Sequence, residues 1–323
     1  MKKHIKLVIF TMMVFTIIGC KKSKSEAGKN IPSFNNLQNL DILIDWQAEP
    51  TYLGVYFAKE LGLFEKLGFD VNIIQSWGAN EVTSVIAVGK YKIGTASAGA
   101  TAIAKSNGAN LISMAVLYHN IPTTVFGLKG IGIASPQDLE GKTVGVYPKS
   151  ITKNEFEGFL KLNKIDRNKI KLVSINGPDI PLILSKKVDA VLNYFELSPT
   201  LLSLEKETFD IRLADYGVNA YGLNIISSRD TYNQEPDLVQ NLTDAIINGY
   251  KEGCENQKAA VNAFLDEFPE KDSNYVKISW EKVCKFINND YQSQTVDGWQ
   301  QTIDFYNDSG LLTKPVSPKE LMP

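Results

Sequence analysis

The stretch from residue 40 to residue 74 constrains the fold of this chain more than any other, because it changes its hydrophobic period twice. Residues 40–44 are rich in branched apolar side chains and predict a strand, which polar and aromatic residues end at 45–50. From residue 52 to residue 63 apolar side chains recur at helical spacing, and residues 71–74 predict a second strand. The order strand, helix, strand is typical of α/β folds with parallel strands.

The loop after the first predicted strand carries side chains that suit a ligand. In open α/β sheets ligands bind beyond the carboxyl ends of the strands. The chain places Trp46 and Glu49 at that point, and Tyr52 and Tyr56 follow in the predicted helix. A Trp after a strand is also common in cores, and a Glu beside a Pro is a common first charge of a helix, so this alternative stays open.

Further along the chain, several predicted strands also end in polar or aromatic residues. A strand at 93–96 leads into a turn of small residues at 97–99. Small residues there allow the backbone N–H groups at the start of the next helix to contact an anion or a carbonyl of a ligand. The alternative is that they only allow the helix to pack closely on the sheet. A strand at 143–147 precedes Lys149, Ser150 and Thr152, all expected to face a cleft. The complete set of predicted ligand-binding residues is Trp46, Glu49, Tyr52, Tyr56, Ser97, Gly99, Tyr118, Asn120, Ser150, Tyr194, Glu196 and Tyr221.

The order of the elements predicts two lobes joined by two crossings, which form a hinge. We expect lobe 1 at residues 37–127, lobe 2 at 128–221, and a second, mostly helical part of lobe 1 at 222–323. With 44% hydrophobic and 22% charged residues the composition is that of an ordinary globular protein. Trp280 and Trp299 lie in helical patterns of the last part and are predicted to be core residues.

The N-terminus has the pattern of an export signal. Lys2, Lys3 and Lys6 precede an apolar run at residues 7–18, which is shorter than the roughly 20 residues that a transmembrane helix needs. Residues 17–20 resemble a bacterial lipobox, which implies removal of residues 1–19 and a lipid on Cys20, with ordinary cleavage and a free thiol as the alternative. Residues 20–36 then predict a disordered tether. The expected location is the cell envelope, with the protein anchored to the membrane through lipid.

Catalytic and metal-binding patterns are scarce in this sequence. His4 lies in the leader and His119 is the only other histidine, so a Ser–His–Asp or Cys–His arrangement would depend on that one residue. The sequence has no Cys or His spacing typical of a metal site and no phosphate-loop motif, and we predict no metal and no cofactor. The formal net charge of −2 implies no large basic face for nucleic acid.

Cys254 and Cys284 permit one disulfide, but we predict two buried thiols and a monomer.

The motif DWQAEPTYLGVYFAKELGLFEKLGFDV, at residues 45–71, resembles the opening of the SsuA/NMT1/THI5-like substrate-binding proteins. This resemblance implies an α/β, two-lobed type II periplasmic-binding fold, and a receptor that works with the permease and ATPase subunits of an ABC importer. It implies a small-molecule ligand, ranging in this family from thiamine pyrimidines to sulfonates and riboflavin. The aromatic and acidic loop residues favour a thiamine pyrimidine precursor of the hydroxymethylpyrimidine or formylaminopyrimidine type. Riboflavin and a sulfonate or nitrate remain the alternatives.

The same family includes enzymes, the pyrimidine synthases of thiamine biosynthesis, so a synthase-like enzyme is the alternative of another class. In those enzymes a lysine that holds pyridoxal phosphate and a histidine that is consumed match the positions of Ala96 and Ala100. Their cysteine cluster matches residues 217–221, which read GVNAY in this chain. The resemblance therefore implies that this chain is not an enzyme.

Overall fold

A computed structural model describes residues 36–148, 150–287 and 293–323. The predicted leader, Cys20, nearly all of the tether and Lys149 lie outside the described residues. Within the described part, no helix is both long and apolar enough to cross a membrane.

Strands and helices alternate through most of the described chain. The strands are β1 (Gln38–Ile44), β2 (Phe69–Gln75), β3 (Ile93–Ser97), β4 (Leu111–Val116), β5 (Thr123–Leu128), β6 (Thr143–Val146), β7 (Lys171–Ser174), β8 (Ala190–Tyr194), β9 (Thr208–Arg212) and β10 (Leu223–Ser228). The helices are α1 (Leu53–Glu60), α2 (Ala79–Ala87), α3 (Ala98–Ser106), α4 (Ile151–Leu162), α5 (Ile180–Leu184), α6 (Pro199–Ser203), α7 (Arg229–Gln234), α8 (Pro236–Glu255), α9 (Gln257–Glu267), α10 (Ser273–Ile287), α11 (Val296–Asp308) and α12 (Pro318–Leu321).

The strands form two five-stranded mixed sheets of the same design. In lobe 1 the order is β2-β1-β3-β10-β4, with β1 parallel to β2 and β3, and β10 antiparallel to β3 and β4. In lobe 2 the order is β7-β6-β8-β5-β9, with β6 parallel to β7 and β8, and β5 antiparallel to β8 and β9. Each lobe therefore has parallel strands whose carboxyl ends meet at one edge, as the sequence predicted.

The first crossing between the lobes comes earlier in the chain than predicted. Because β5 pairs with β8 and β9, the chain enters lobe 2 between Val116 and Thr123, and the placement of residues 123–127 in lobe 1 is wrong. A β-branched run marks a strand, but it carries no information on which sheet the strand joins. The return strand β10 belongs to the lobe 1 sheet.

Helices of the last third pack on lobe 1 through close backbone approaches. A Cβ on Gly249 of α8 would lie 2.1 Å from the carbonyl oxygen of Gly54 in α1, so both helices need glycine at this contact. Trp280 and Trp299 are fully buried, which confirms them as core residues. Helix α10 also contacts the turns Pro50–Tyr52 of lobe 1 and Phe195–Leu197 of lobe 2, and so spans the two lobes.

A disulfide joins α8 to α10. Cys254 and Cys284 are bridged, with their Cα atoms 5.4 Å apart, a separation that suits such a bond. The prediction of two buried thiols is therefore wrong. The error arose because the spacing of two cysteines in the sequence does not say whether their helices lie side by side.

Candidate functional site

Asp45 is the first residue after β1 and lies at the edge of the lobe 1 sheet that faces lobe 2. Its side chain is buried and accepts hydrogen bonds from the hydroxyls of Tyr52 and Thr95, each at 3.0 Å. Burial raises the pKa of Asp45, and these hydrogen bonds oppose the rise. An acid thus sits at the strand end where open α/β sheets bind their ligands.

Glu196 follows β8 in lobe 2 and contacts lobe 1 directly. Its Oε1 accepts a hydrogen bond from the hydroxyl of Thr51. Thr51 is itself held in place, because its carbonyl accepts from the Tyr250 hydroxyl at 2.7 Å and its Oγ1 accepts from the Tyr118 hydroxyl at 3.3 Å. The contact between Thr51 and Glu196 therefore joins the two lobes, and other hydrogen bonds hold Thr51 in position for it.

The second oxygen of the same carboxyl group, Oε2 of Glu196, is buried and has no hydrogen-bond partner among the described residues. Burial raises the pKa of Glu196 to about 7, against the smaller lowering by the Thr51 hydrogen bond. A buried acceptor without a partner costs about 1–3 kcal/mol. An N–H donor supplied by a ligand would remove that cost.

Tyr194 lies within electrostatic range of these acids. It is the last residue of β8, and burial together with the charges of Asp45, Glu155 and Glu196 raises its pKa well above the ordinary value. Glu155, on α4, accepts hydrogen bonds from the hydroxyls of Thr123 and Tyr306, the latter at 2.6 Å. The interior between the lobes therefore combines aromatic rings with three buried carboxyl groups.

Three aromatic rings are in contact with one another and form what we call the aromatic cluster: Trp46, Trp77 and Tyr147. The ring centroid of Trp46 is 6.4 Å from that of Trp77 and 6.0 Å from that of Tyr147, at interplanar angles of 80° and 72°. Trp46 belongs to lobe 1 and Tyr147 follows β6 of lobe 2, so this ring contact also joins the lobes. Trp77 is 76% exposed.

Five predicted site residues lie at this junction of the lobes. They are Trp46, Tyr52, Tyr118, Tyr194 and Glu196. Whether they touch a ligand stays a prediction. Sequence reasoning missed Asp45, Thr51, Thr95, Tyr147 and Glu155 as members of the same group.

Two other predicted residues lie against the C-terminal helices. The carboxylate of Glu49 contacts Lys271 at 3.1 Å and accepts from the Tyr275 hydroxyl at 2.8 Å, so both of its oxygens are engaged by residues near and in α10. The ring of Tyr56 packs edge-on against Phe264 and Phe268. The structure therefore gives both residues partners within lobe 1.

The remaining predicted residues have local structural contacts. Ser97 caps α3 by accepting from the backbone N–H of Ala100 at 3.1 Å, and Ser150 donates to the Tyr147 carbonyl at 2.8 Å. A Cβ on Gly99 would lie 2.1 Å from the ring of Tyr306, and the Tyr221 hydroxyl accepts from the Thr295 N–H at 3.0 Å. Asn120 lines a groove of about 790 Å³, formed with His119, Phe195, Asp210, Arg212, Ala214, Asp215, Lys282, Lys285, Phe286 and Ile287.

The described residues contain no group of three or more His, Cys, Asp or Glu side chains placed to hold a metal ion. The chemistry of the site is instead that of hydrogen-bond acceptors set among aromatic rings. Acceptors and aromatic rings in this arrangement have the chemistry to bind a flat group that donates hydrogen bonds.

The chain is similar both to a binding protein and to enzymes whose names refer to pyrimidines. The NMT1/THI5 like family model matches residues 49–260. The formylaminopyrimidine-binding protein of Halalkalibacterium halodurans is 24% identical over 328 residues, which cover 97% of this chain and 96% of that protein. A 4-amino-5-hydroxymethyl-2-methylpyrimidine phosphate synthase of Schizosaccharomyces pombe is 20% identical over 291 residues, covering 86% of this chain and 84% of the enzyme.

Among solved structures, the alkanesulfonate-binding protein SsuA of Xanthomonas axonopodis pv. citri, bound to MOPS, matches with a TM-score of 0.72. The match covers 89% of this chain and 99% of SsuA at 15% identity. A likeness at this level of identity concerns the fold. It confirms the predicted two-lobed, type II periplasmic-binding fold.

Proposed function

This chain belongs to the NMT1/THI5-like family, and on that premise we propose that it is the solute-binding protein of an ABC importer for a thiamine pyrimidine precursor. The ligand is of the hydroxymethylpyrimidine or formylaminopyrimidine type and is held between the two lobes. One observation carries the proposal: the buried Oε2 of Glu196 has no partner among the described residues, in a site shared by both lobes. The exocyclic amino group of an aminopyrimidine supplies the donor that this oxygen needs.

The charges at the junction of the lobes support a neutral or amino-bearing ligand over an anion. Asp45, Glu155 and Glu196 are all buried, and burial raises the pKa of each, which means that their surroundings already disfavour negative charge. A sulfonate or nitrate would add another negative charge to this environment. The likeness to an alkanesulfonate-binding protein therefore does not extend, in this proposal, to the ligand.

The proposed mechanism is closure of the lobes over the ligand. The contacts of Thr51 with Glu196 and of Trp46 with Tyr147 join the lobes directly. A ligand that bonds to Glu196 and lies against Tyr194 adds further contacts that exist only when the lobes are closed, and so shifts the population towards that state. The closed form is the one that the permease recognises.

A synthase reaction is the competing proposal, because relatives include such enzymes. At the positions that the family resemblance matches to the cofactor-binding lysine and the consumed histidine, this chain has Ala96 and Ala100. Both are buried in an apolar cluster with Leu43 and Val82. Neither can form a Schiff base or supply an imidazole, which supports a receptor. Formation of a pyrimidine product by the purified protein with pyridoxal phosphate would contradict this.

A thermal-shift panel tests the ligand class. We expect hydroxymethylpyrimidine or formylaminopyrimidine to stabilise the protein, since a ligand at 100 times its Kd adds about 2.7 kcal/mol to the free energy of unfolding. Riboflavin, taurine and nitrate are the comparison ligands and are expected to leave the melting temperature unchanged. A shift with taurine or nitrate and none with the pyrimidines would show that the assignment is wrong.

The lipid anchor is a further part of the proposal and rests on the lipobox resemblance at residues 17–20. We expect Cys20→Ser to move the protein from the membrane fraction to the soluble fraction of the cell envelope, because the lipid can no longer be attached. Ser23→Ala, three residues further on, is the matched control and should stay with the membrane. If the Cys20→Ser protein also sedimented with membranes, the chain would need a different anchor.

A further inference from the structure

The hydroxyl of Thr51 distinguishes the two oxygens of the Glu196 carboxyl group. It donates to Oε1 of Glu196, and its own oxygen accepts a hydrogen bond from the Tyr118 hydroxyl at 3.3 Å. A threonine hydroxyl has a single hydrogen to donate. Because that hydrogen points to Oε1, this oxygen is an acceptor, and a proton carried by the carboxyl group lies on Oε2.

Oε2 of Glu196 is the oxygen that has no hydrogen-bond partner among the described residues, and the residue is only 2% exposed. Its backbone is also held, because the Glu196 carbonyl accepts a hydrogen bond from the Ser279 hydroxyl of α10 at 2.6 Å. An ionised Oε2 needs a donor, whereas a protonated Oε2 is itself a donor. The proton on this one atom therefore decides which kind of ligand atom can lie against it.

We infer that Thr51 is a positioning residue, which fixes Oε2 of Glu196 as the atom that loses a proton when an amino-bearing ligand binds. An N–H group of the ligand donates to the ionised Oε2, and the proton that leaves Oε2 passes to the solvent. The inference rests on the proposed function and deepens it, because it makes capture of the ligand depend on pH. A ligand that could only accept a hydrogen bond here would instead keep the proton on Oε2.

The surroundings of Glu196 set the pH range of this exchange. Burial raises the pKa of Glu196 to about 7, and the hydrogen bond from Thr51 is the largest effect that lowers it. The other ionisable groups that act on this carboxyl group are Glu49 beside the turn Pro50–Tyr52, Lys282 and Tyr275 on α10, Tyr250 on α8, Tyr118 after β4 and Tyr194 in β8. Each of these tyrosines has a pKa well above the ordinary value and stays protonated near neutral pH.

Calorimetric titration of the full-length protein with hydroxymethylpyrimidine measures the proton directly. Titrations in two buffers that differ in their enthalpy of ionisation give the number of protons released on binding. We expect the parent protein to release roughly 0.6–0.7 proton more than Glu196→Gln at pH 6.5, and almost no more at pH 8.5, where Glu196 is already ionised. The affinity of the parent should be about 3- to 4-fold tighter at pH 8.5 than at pH 6.5.

Substitution of Thr51 provides the residue-level test. Thr51→Val keeps the branched shape and removes the donor to Oε1, so the pKa of Glu196 should rise further and proton release should appear at pH 8.5. Thr51→Ser keeps the hydroxyl and should restore the profile of the parent. Thr123→Val is the matched control, since it removes a hydroxyl bond of the same kind from another buried acid, Glu155, and it should leave the proton release unchanged.

The proton release separates this inference from a purely structural role of Thr51. If Thr51→Val lowered the affinity equally at both pH values and left the proton release as in the parent, the inference would be overturned. Equal release from the parent and Glu196→Gln would also overturn it, even if Thr51→Val did not fold, but binding of hydroxymethylpyrimidine would leave the receptor assignment intact. If neither hydroxymethylpyrimidine nor formylaminopyrimidine bound the parent, the proposed function itself would be wrong.

Discussion

Replacing Glu196 by glutamine is expected to weaken binding of an aminopyrimidine by roughly 10- to 150-fold, or about 1.5–3 kcal/mol. Glutamine keeps the shape of the side chain and still accepts the hydrogen bond from Thr51, but it removes the charge that strengthens the bond to the ligand amino group. The measurement is a calorimetric titration at pH 8, where a group with a pKa of about 7 is mostly ionised.

The same substitution should weaken ligand binding but should not lower the stability of the fold at pH 8. Because the pKa of Glu196 rises from 4.5 to about 7 on folding, the folded state binds a proton at this carboxyl group more tightly than the unfolded state does, and protonation stabilises the fold. That contribution is fully present below about pH 4.5 and is lost as the pH rises through about 7. In urea unfolding at pH 8, Glu196→Gln should therefore be at least as stable as the parent protein, and the advantage should shrink towards pH 5.

Glu155→Gln is the matched control for this experiment. Glu155 is also buried, but the hydroxyls of Thr123 and Tyr306 already engage its two oxygens. It should change ligand affinity less than Glu196→Gln does. If Glu196→Gln left the affinity unchanged, this carboxyl group would be part of the junction between the lobes and not a ligand contact.

Removing the disulfide is expected to lower the free energy of unfolding by about 3–4 kcal/mol. Cys254 and Cys284 are 30 residues apart in the sequence, and a bridge over a loop of this size restricts the unfolded chain substantially. The double variant Cys254→Ser, Cys284→Ser should show the loss in urea unfolding. Its folded structure should persist, since α8 retains its packing on α1.

Reduction of the parent protein supplies the control for the disulfide. Dithiothreitol should lower the stability of the parent to about that of the double variant and should leave the variant itself unchanged. If dithiothreitol had no effect on the parent, the two cysteines would be thiols in solution, as the sequence alone suggested.

The fold was largely predictable because its signals are local. The apolar residues at 40 and 42–44 fall within β1, and the break at Asp45 marks the end of that strand. The boundary predicted at residue 128 placed residues 123–127 in lobe 1, but they belong to β5. Their membership of the lobe 2 sheet was not predictable, because pairing with β8 and β9 depends on contacts far away in the sequence.

The same distinction applies to the candidate site: residues with a local signal in the sequence were identified, and residues whose role depends on distant contacts were not. Tyr194 and Glu196 were identified because they lie at the end of a strand, and the structure places both where the lobes meet. Glu155 was missed because it lies in a helix, although an acid beside Phe156 on an apolar helical face was a visible signal. Glu49 looked available only because its partner Lys271 is 222 residues away.

The assignment as a pyrimidine receptor is tested by calorimetric titration of the full-length protein with formylaminopyrimidine and, separately, with taurine. We expect one-to-one binding of the pyrimidine, loss of most of that affinity in Glu196→Gln, and no heat of binding from taurine. Saturable binding of taurine with none of the pyrimidine would contradict it, and would place the chain with the sulfonate receptors whose fold it shares.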